Sequence, residues 1–127
     1  MDPGIIDFCK GLEVVPVCPE MLGQLGCPRE KHEIRGGTGK DVLSGSASVI
    51  SISGKDRTAE FLSGARETLR LGKANECGTA LLKEHSPSCA VREIHSGRFD
   101  GSTIQGPGVT AALLEMSGVR IMSETDV

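Results

Sequence analysis

From Thr58 to Met122 the apolar residues change period repeatedly, and that switching constrains the fold more than any other feature of the chain. Phe61, Leu62, Ala65, Leu69 and Leu71 recur at near-helical spacing after Thr58, which can cap the segment, and Gly78 closes it. Thr79-Ala80-Leu81-Leu82-Lys83 follows as a short apolar run and predicts a strand. Val109, Ala112, Leu113 and Met116 then fit i, i+3, i+4, i+7, entered through Gly106-Pro107-Gly108 and stopped by Gly118; Val119-Arg120-Ile121-Met122 gives a last strand. Helices alternating with apolar strands imply an α/β fold, Rossmann-like, with a largely parallel sheet and flanking helices.

The first half of the chain is less periodic. Glu13-Val14-Val15-Pro16-Val17-Cys18 predicts a strand in which Pro16 marks an edge or an irregularity. Gly23 to Gly45, rich in Gly and charge, predicts one long loop. Ser46 to Ser53 alternates apolar residues with serines and turns at Gly54-Lys55-Asp56, as a half-buried strand would. With 127 residues and no repeat period, residues 1–127 make a single domain.

Composition removes several function classes. The 14 Lys+Arg and 17 Asp+Glu give a net charge of −3, and no basic block is present, which argues against nucleic-acid binding. Phe8, Phe61 and Phe99 are the only aromatic residues, too few for a base-stacking surface. No apolar run approaches the ~20 residues of a membrane span. The acidic start Met1-Asp2-Pro3-Gly4 is unlike a signal peptide, so a cytoplasmic location is expected. Five cysteines, an odd number, then read as reduced thiols or metal ligands rather than a disulfide framework.

Two of these cysteines are placed alike. Cys18 ends the first expected strand, and Cys89 lies in the loop Glu84-His85-Ser86-Pro87-Ser88-Cys89 after the Thr79–Lys83 strand. Loops leaving the C-terminal ends of parallel strands gather at one sheet edge, where ligands bind. Glu20 adds a carboxylate beside Cys18, and Ser86 and Ser88 add hydroxyls beside Cys89. This inventory suits metal or sulfur chemistry, while the plain alternative makes both thiols small buried apolar groups. No Cys-x-x-Cys pair occurs, and the equal spacing of Cys9, Cys18 and Cys27 matches no metal signature. Gly36-Gly37-Thr38-Gly39-Lys40 lacks the spacing of a phosphate loop. Gly106-Pro107-Gly108 is either a site of exposed amides for an anion or a pyrimidine oxygen, or a tight turn into a helix.

Val14-Val15-Pro16-Val17-Cys18-Pro19-Glu20, Gly39-Lys40-Asp41-Val42-Leu43, Lys83-Glu84-His85-Ser86-Pro87-Ser88-Cys89 and Gly108-Val109-Thr110-Ala111-Ala112-Leu113-Leu114 occur in this order. Together they closely resemble a family of small bacterial proteins that includes the thiouracil desulfurases. The resemblance implies an α/β fold with a [4Fe–4S] cluster held by three cysteines, one iron being left open for a thiocarbonyl sulfur. It assigns Cys18 and Cys89 as two ligands. The family's first ligand lies in a Ser-x-Cys-Leu-x-Gly segment that this sequence does not contain, so the chain reads as N-terminally truncated relative to the family, without its first strand. Cys9 and Cys77 precede strands, whereas Cys27 follows one, which makes Cys27 the candidate third ligand. His85 stands where the family usually has Arg, and Ala90 where it usually has Gly. The resemblance further implies Glu20 as the base that activates water and Ser86, with Ser88 as substitute, as the hydroxyl that holds or protonates a thio-nucleobase substrate. The rival readings are a catalytically silent family member and a thiol or zinc protein using Cys18, Cys27 and Cys89.

Overall fold

A computed structural model describes residues 17–23 and 30–126, without the side chains of Glu20 and Met21. Its elements in chain order are α1 (Pro19–Leu22), β1 (His32–Arg35), α2 (Gly39–Ser44), β2 (Ser48–Ser51), α3 (Thr58–Ala74), β3 (Thr79–Leu82), β4 (Glu93–His95), β5 (Thr103–Gln105), α4 (Val109–Met116) and β6 (Arg120–Ser123), followed by a 3₁₀ turn, Glu124–Asp126. The fold is mixed α/β, with a small parallel sheet and flanking helices.

The parallel pairing joins β3 to β6, with Thr79 opposite Arg120 and Leu82 opposite Ser123. The connection between them runs through α4, as a βαβ crossover requires. The sheet is less parallel than expected. Among the described residues two further ladders are antiparallel: β1 with β2, pairing Ile34 with Val49, and β4 with β5, pairing Ile94 with Ile104. The expected strand over Glu13–Cys18 lies mostly outside the described residues; Val17 and Cys18 are not in a strand, and Cys18 leads directly into α1.

The expected long loop from Gly23 to Gly45 is corrected, since β1 and α2 lie inside it. Ile34 and Val49 are buried between this ladder and α3, together with Phe61 and Ala65. Charge concealed the strand because one of its buried residues is an acid: Glu33 is only 2% exposed, and its Oε1 accepts the amides of Gly97 and Phe99 at 2.8 and 3.2 Å. The α2 helix starts at a capping box. Thr38 Oγ1 accepts the Lys40 amide at 3.3 Å, and Asp41 Oδ2 accepts the Thr38 amide at 2.8 Å.

The long helix α3 also starts differently than expected. Asp56 Oδ1 accepts the Thr58 amide at 2.9 Å, and Thr58 Oγ1 turns back to accept the Val49 amide at 2.9 Å, tying the helix to β2 instead of capping it. Two apolar clusters flank α4. Val109 belongs to the one with Phe61, Ile34 and Val42; Ala111 and Leu114 pack with Leu82 in the other, against which Cys89 rests.

Candidate active site

The loop between β3 and β4 is built by three consecutive side chains. Glu84 Oε1 accepts the amides of Val91, Arg92 and Glu93 at 3.0, 2.7 and 3.0 Å, closing the loop into a ring. His85 Nε2 lies 3.1 Å from Glu93 Oε1. Ser86 Oγ accepts the amides of Ser88 and Cys89 at 3.1 and 3.2 Å, which curls the backbone around Pro87. Burial pushes the Glu84 pKa up, but the amides of Arg92 and Glu93 outweigh it, and the carboxyl ends below its ordinary value.

This loop is docked on the start of α4. The amides of Val109, Thr110 and Ala111 donate to the carbonyls of Pro87 and Ser88 at 2.8 to 3.1 Å, and the Gly108 amide donates to Ala90 O at 2.9 Å. The helix N-terminus is therefore used internally, and of the two readings of Gly106-Pro107-Gly108 the structure shows the tight turn. Gly106 donates to Arg92 O at 2.7 Å, leaving no amide of that stretch pointing at an anion. Glycine is needed at 108 by close approach: a Cβ there would lie 2.6 Å from the carbonyl oxygens of Pro87 and Ser88.

The two serines of the loop have different surroundings. Ser88 is 1% exposed, and its hydroxyl meets that of Thr110 at 2.6 Å. Ser86 is only partly buried. Thr110 and Glu84 carry no signal of their own in the sequence; both fall within family motifs, but nothing in a sequence marks which hydroxyl on an apolar helix finds a buried partner.

The loop leaves β3 at the C-terminal end of the parallel pair, where both oxygens of Glu124, just beyond β6, accept the Glu84 amide at 2.9 and 3.1 Å. Arg92 adds a second tie, reaching Asp126 Oδ1 at 2.6 Å and Ser123 Oγ at 3.0 Å. Cys89, half-buried, lies in this loop. Cys18 is also half-buried and starts α1, its carbonyl accepting the Leu22 amide at 3.0 Å with Pro19 in the first helical position. Two glycines seat α1 on α3: a Cβ on Gly64 would collide with Pro19 O, and one on Gly23 with Glu60 O. Cys27 and the Glu20 side chain lie outside the described residues.

The thiols of Cys18 and Cys89 are donors of the kind that iron–sulfur clusters take. Among the described residues no three His, Cys, Asp or Glu side chains gather into a group that could hold a metal ion. In kind, these two thiols fit an iron–sulfur cluster. Among the described residues, too, no helix is long and apolar enough to cross a membrane.

Known proteins share both the sequence and the shape. The family model described as 2-thiouracil desulfurase matches residues 4–126. The uncharacterized protein YbbK of Bacillus subtilis (strain 168) is 46% identical over 115 residues, covering 91% of this chain and 76% of that protein. The solved structure of the [4Fe-4S]-dependent thiouracil desulfidase TudS superposes with a TM-score of 0.85 at 37% identity, over 100% of this chain and 78% of that one. With the family model spanning nearly every residue and the α/β fold matching as well, the chain belongs to the 2-thiouracil desulfurase family.

Proposed function

We propose that this protein removes sulfur from a thiolated pyrimidine such as thiouracil, or a related thioamide, replacing C=S by C=O with water and releasing the sulfur as sulfide. Cys18 and Cys89 would hold an iron–sulfur cluster, with Cys27 as the third ligand. The observation that carries this reading is the Ser86–Cys89 turn, in which the partly exposed Ser86 hydroxyl accepts the backbone amide of Cys89, a half-buried cysteine in the loop that leaves the parallel pair. Membership of the family and the likeness to a cluster-dependent desulfidase support it. When bound, the cluster supplies an iron with an open position, a soft acceptor suited to a thiocarbonyl sulfur.

The chain's own residues would supply the rest. Glu20 takes a proton from the water that attacks the thiocarbonyl carbon. The Ser86 hydroxyl, whose oxygen accepts two amides, keeps its hydrogen for the substrate, orienting the ring or donating as negative charge builds. Ser88, bonded to Thr110, serves the loop that carries both groups. The experiment is anaerobic reconstitution with iron and sulfide, followed by the loss of thiouracil absorbance and a count of bound iron. Turnover that scales with iron and vanishes in Cys18→Ser and Cys89→Ser is expected. A fully loaded protein inert toward thiouracil and other thioamides would overturn the proposal.

A further inference from the structure

We propose that His85 is a positioning residue, which acts through its bond to Glu93 to fix the loop carrying Ser86 and Cys89. It has φ of +71°, in the left-handed region that few non-glycine residues occupy, His among the more tolerant of them, and that costs energy unless its surroundings hold it. Three interactions impose it. The imidazole Nε2 meets Glu93 Oε1 at 3.1 Å, the backbone bridges to Ile94 in parallel register, and the Glu84 carboxylate holds the Glu93 amide from the preceding residue. Glu93 is thereby gripped through both its amide and its carboxylate by two neighbouring residues.

The position of His85, immediately before the turn, makes its conformation consequential. The next side chain, Ser86, accepts the amides of Ser88 and Cys89, so the backbone angle at residue 85 sets the direction in which the whole turn leaves β3. The His85 ring also packs 5.9 Å from that of His95, which shares a face of β4 with Glu93 and whose Nδ1 is buried without a hydrogen-bond partner among the described residues. The imidazole, half exposed, thus meets both a carboxylate and an aromatic neighbour. Losing the Glu93 bond leaves the left-handed backbone without its side-chain hydrogen bond, and the turn relaxes.

The catalytic part of this inference rests on the desulfidation proposed above; the restraint on the loop does not. His85→Asn tolerates the left-handed angle but is too short to reach Glu93, whereas His85→Gln places a donor nitrogen at about the position of Nε2. In the cluster-free protein, peptide mass spectrometry can follow alkylation of Cys89 against Cys77, which precedes β3, together with amide exchange over residues 86–91. His85→Asn and Glu93→Ala should each raise the Cys89 to Cys77 rate ratio and the exchange about tenfold, with β1 and β2 unchanged, and His85→Gln should stay near wild type. In reconstituted enzyme the first two should lower kcat about tenfold with KM nearly constant, and Gln should rescue it. Wild-type ratios in His85→Asn, or a Gln variant as loose as Asn, would overturn the inference. If reconstituted wild type fails to desulfurate, the proposed function falls, and the loop restraint is still decided by alkylation and exchange.

Discussion

Ser88 Oγ lies 2.6 Å from Thr110 Oγ1 in a seam closed to solvent, where the cysteine loop meets the first turn of α4. Around that contact the α4 amides are taken by the loop's own carbonyls. The usual attraction of a helix N-terminus for an anion is spent here on holding a backbone turn in place. Rigidity of this kind is what a site needs when a thiol and a hydroxyl must keep one geometry.

Ser88→Ala removes one half of this buried pair and strands the Thr110 hydroxyl, which should cost about 1–3 kcal/mol. Thr110→Val should cost a similar amount. The double variant, with neither hydroxyl, should be less destabilised than the sum of the two. Chemical denaturation of the three proteins measures the coupling, and strict additivity would mean that the two hydroxyls act independently.

Seating of Cys18 depends on Gly64. A methyl group there meets Pro19 O, a backbone atom that can yield only if α1 lifts from α3, so Gly64→Ala should lose about 1–3 kcal/mol and move Cys18. Gly72, in the same helix, has nothing among the described residues within 4 Å of its would-be Cβ beyond its own helix backbone. Gly72→Ala should therefore stabilise by about 0.5–1 kcal/mol. Melting temperatures shifted the same way by both substitutions would contradict this account of how α1 docks.

Acid should loosen the cysteine loop. The folded-state pKa of Glu84 is lowered below its ordinary value of 4.5, so the carboxyl adds stability that is fully present above that pH and lost as pH falls through the lower, folded value. Asp126 is depressed as well, chiefly by its bond to Arg92, and adds in the same direction. Glu84→Gln should flatten the stability slope below pH 4.5 and lower stability at neutral pH. A parallel slope in wild type and variant would remove Glu84 from the acid response.

The elements written most plainly in the sequence were those whose apolar period is uninterrupted. The α3 and α4 helices, the β3 and β6 strands and the β2 strand stand close to where periodicity put them. Three features escaped it for physical reasons. β1 is His-Glu-Ile-Arg, a strand whose buried Glu33 accepts, through one carboxylate oxygen, amides 64 and 66 residues away, a partnership no local window contains. The β4–β5 hairpin is short and β5 is exposed throughout, so it carries no burial pattern to read. The third lies in the site, where the motif around Cys89 was legible but the division of labour among Glu84, His85, Ser86 and Ser88 was not, because it depends on which amides the fold returns to each side chain.

Glu20 provides the sharpest test of the chemistry. Glu20→Gln keeps size and hydrogen-bonding capacity while removing the basic carboxylate, so activation of water should fail with the cluster still in place. Losses of a general base run to ~10²- to 10⁴-fold. Ser86→Ala should give a smaller loss of turnover, accompanied by faster exchange of the Ser88 and Cys89 amides that its oxygen holds. Cys89→Ser should remove bound iron itself, since a hydroxyl is a poor substitute for a soft thiolate. Measuring thiouracil turnover and iron content side by side separates the three effects. Wild-type turnover in an iron-replete Glu20→Gln protein would take the carboxylate out of the mechanism and leave it as an acid in the first turn of α1, with water activated from elsewhere in the site.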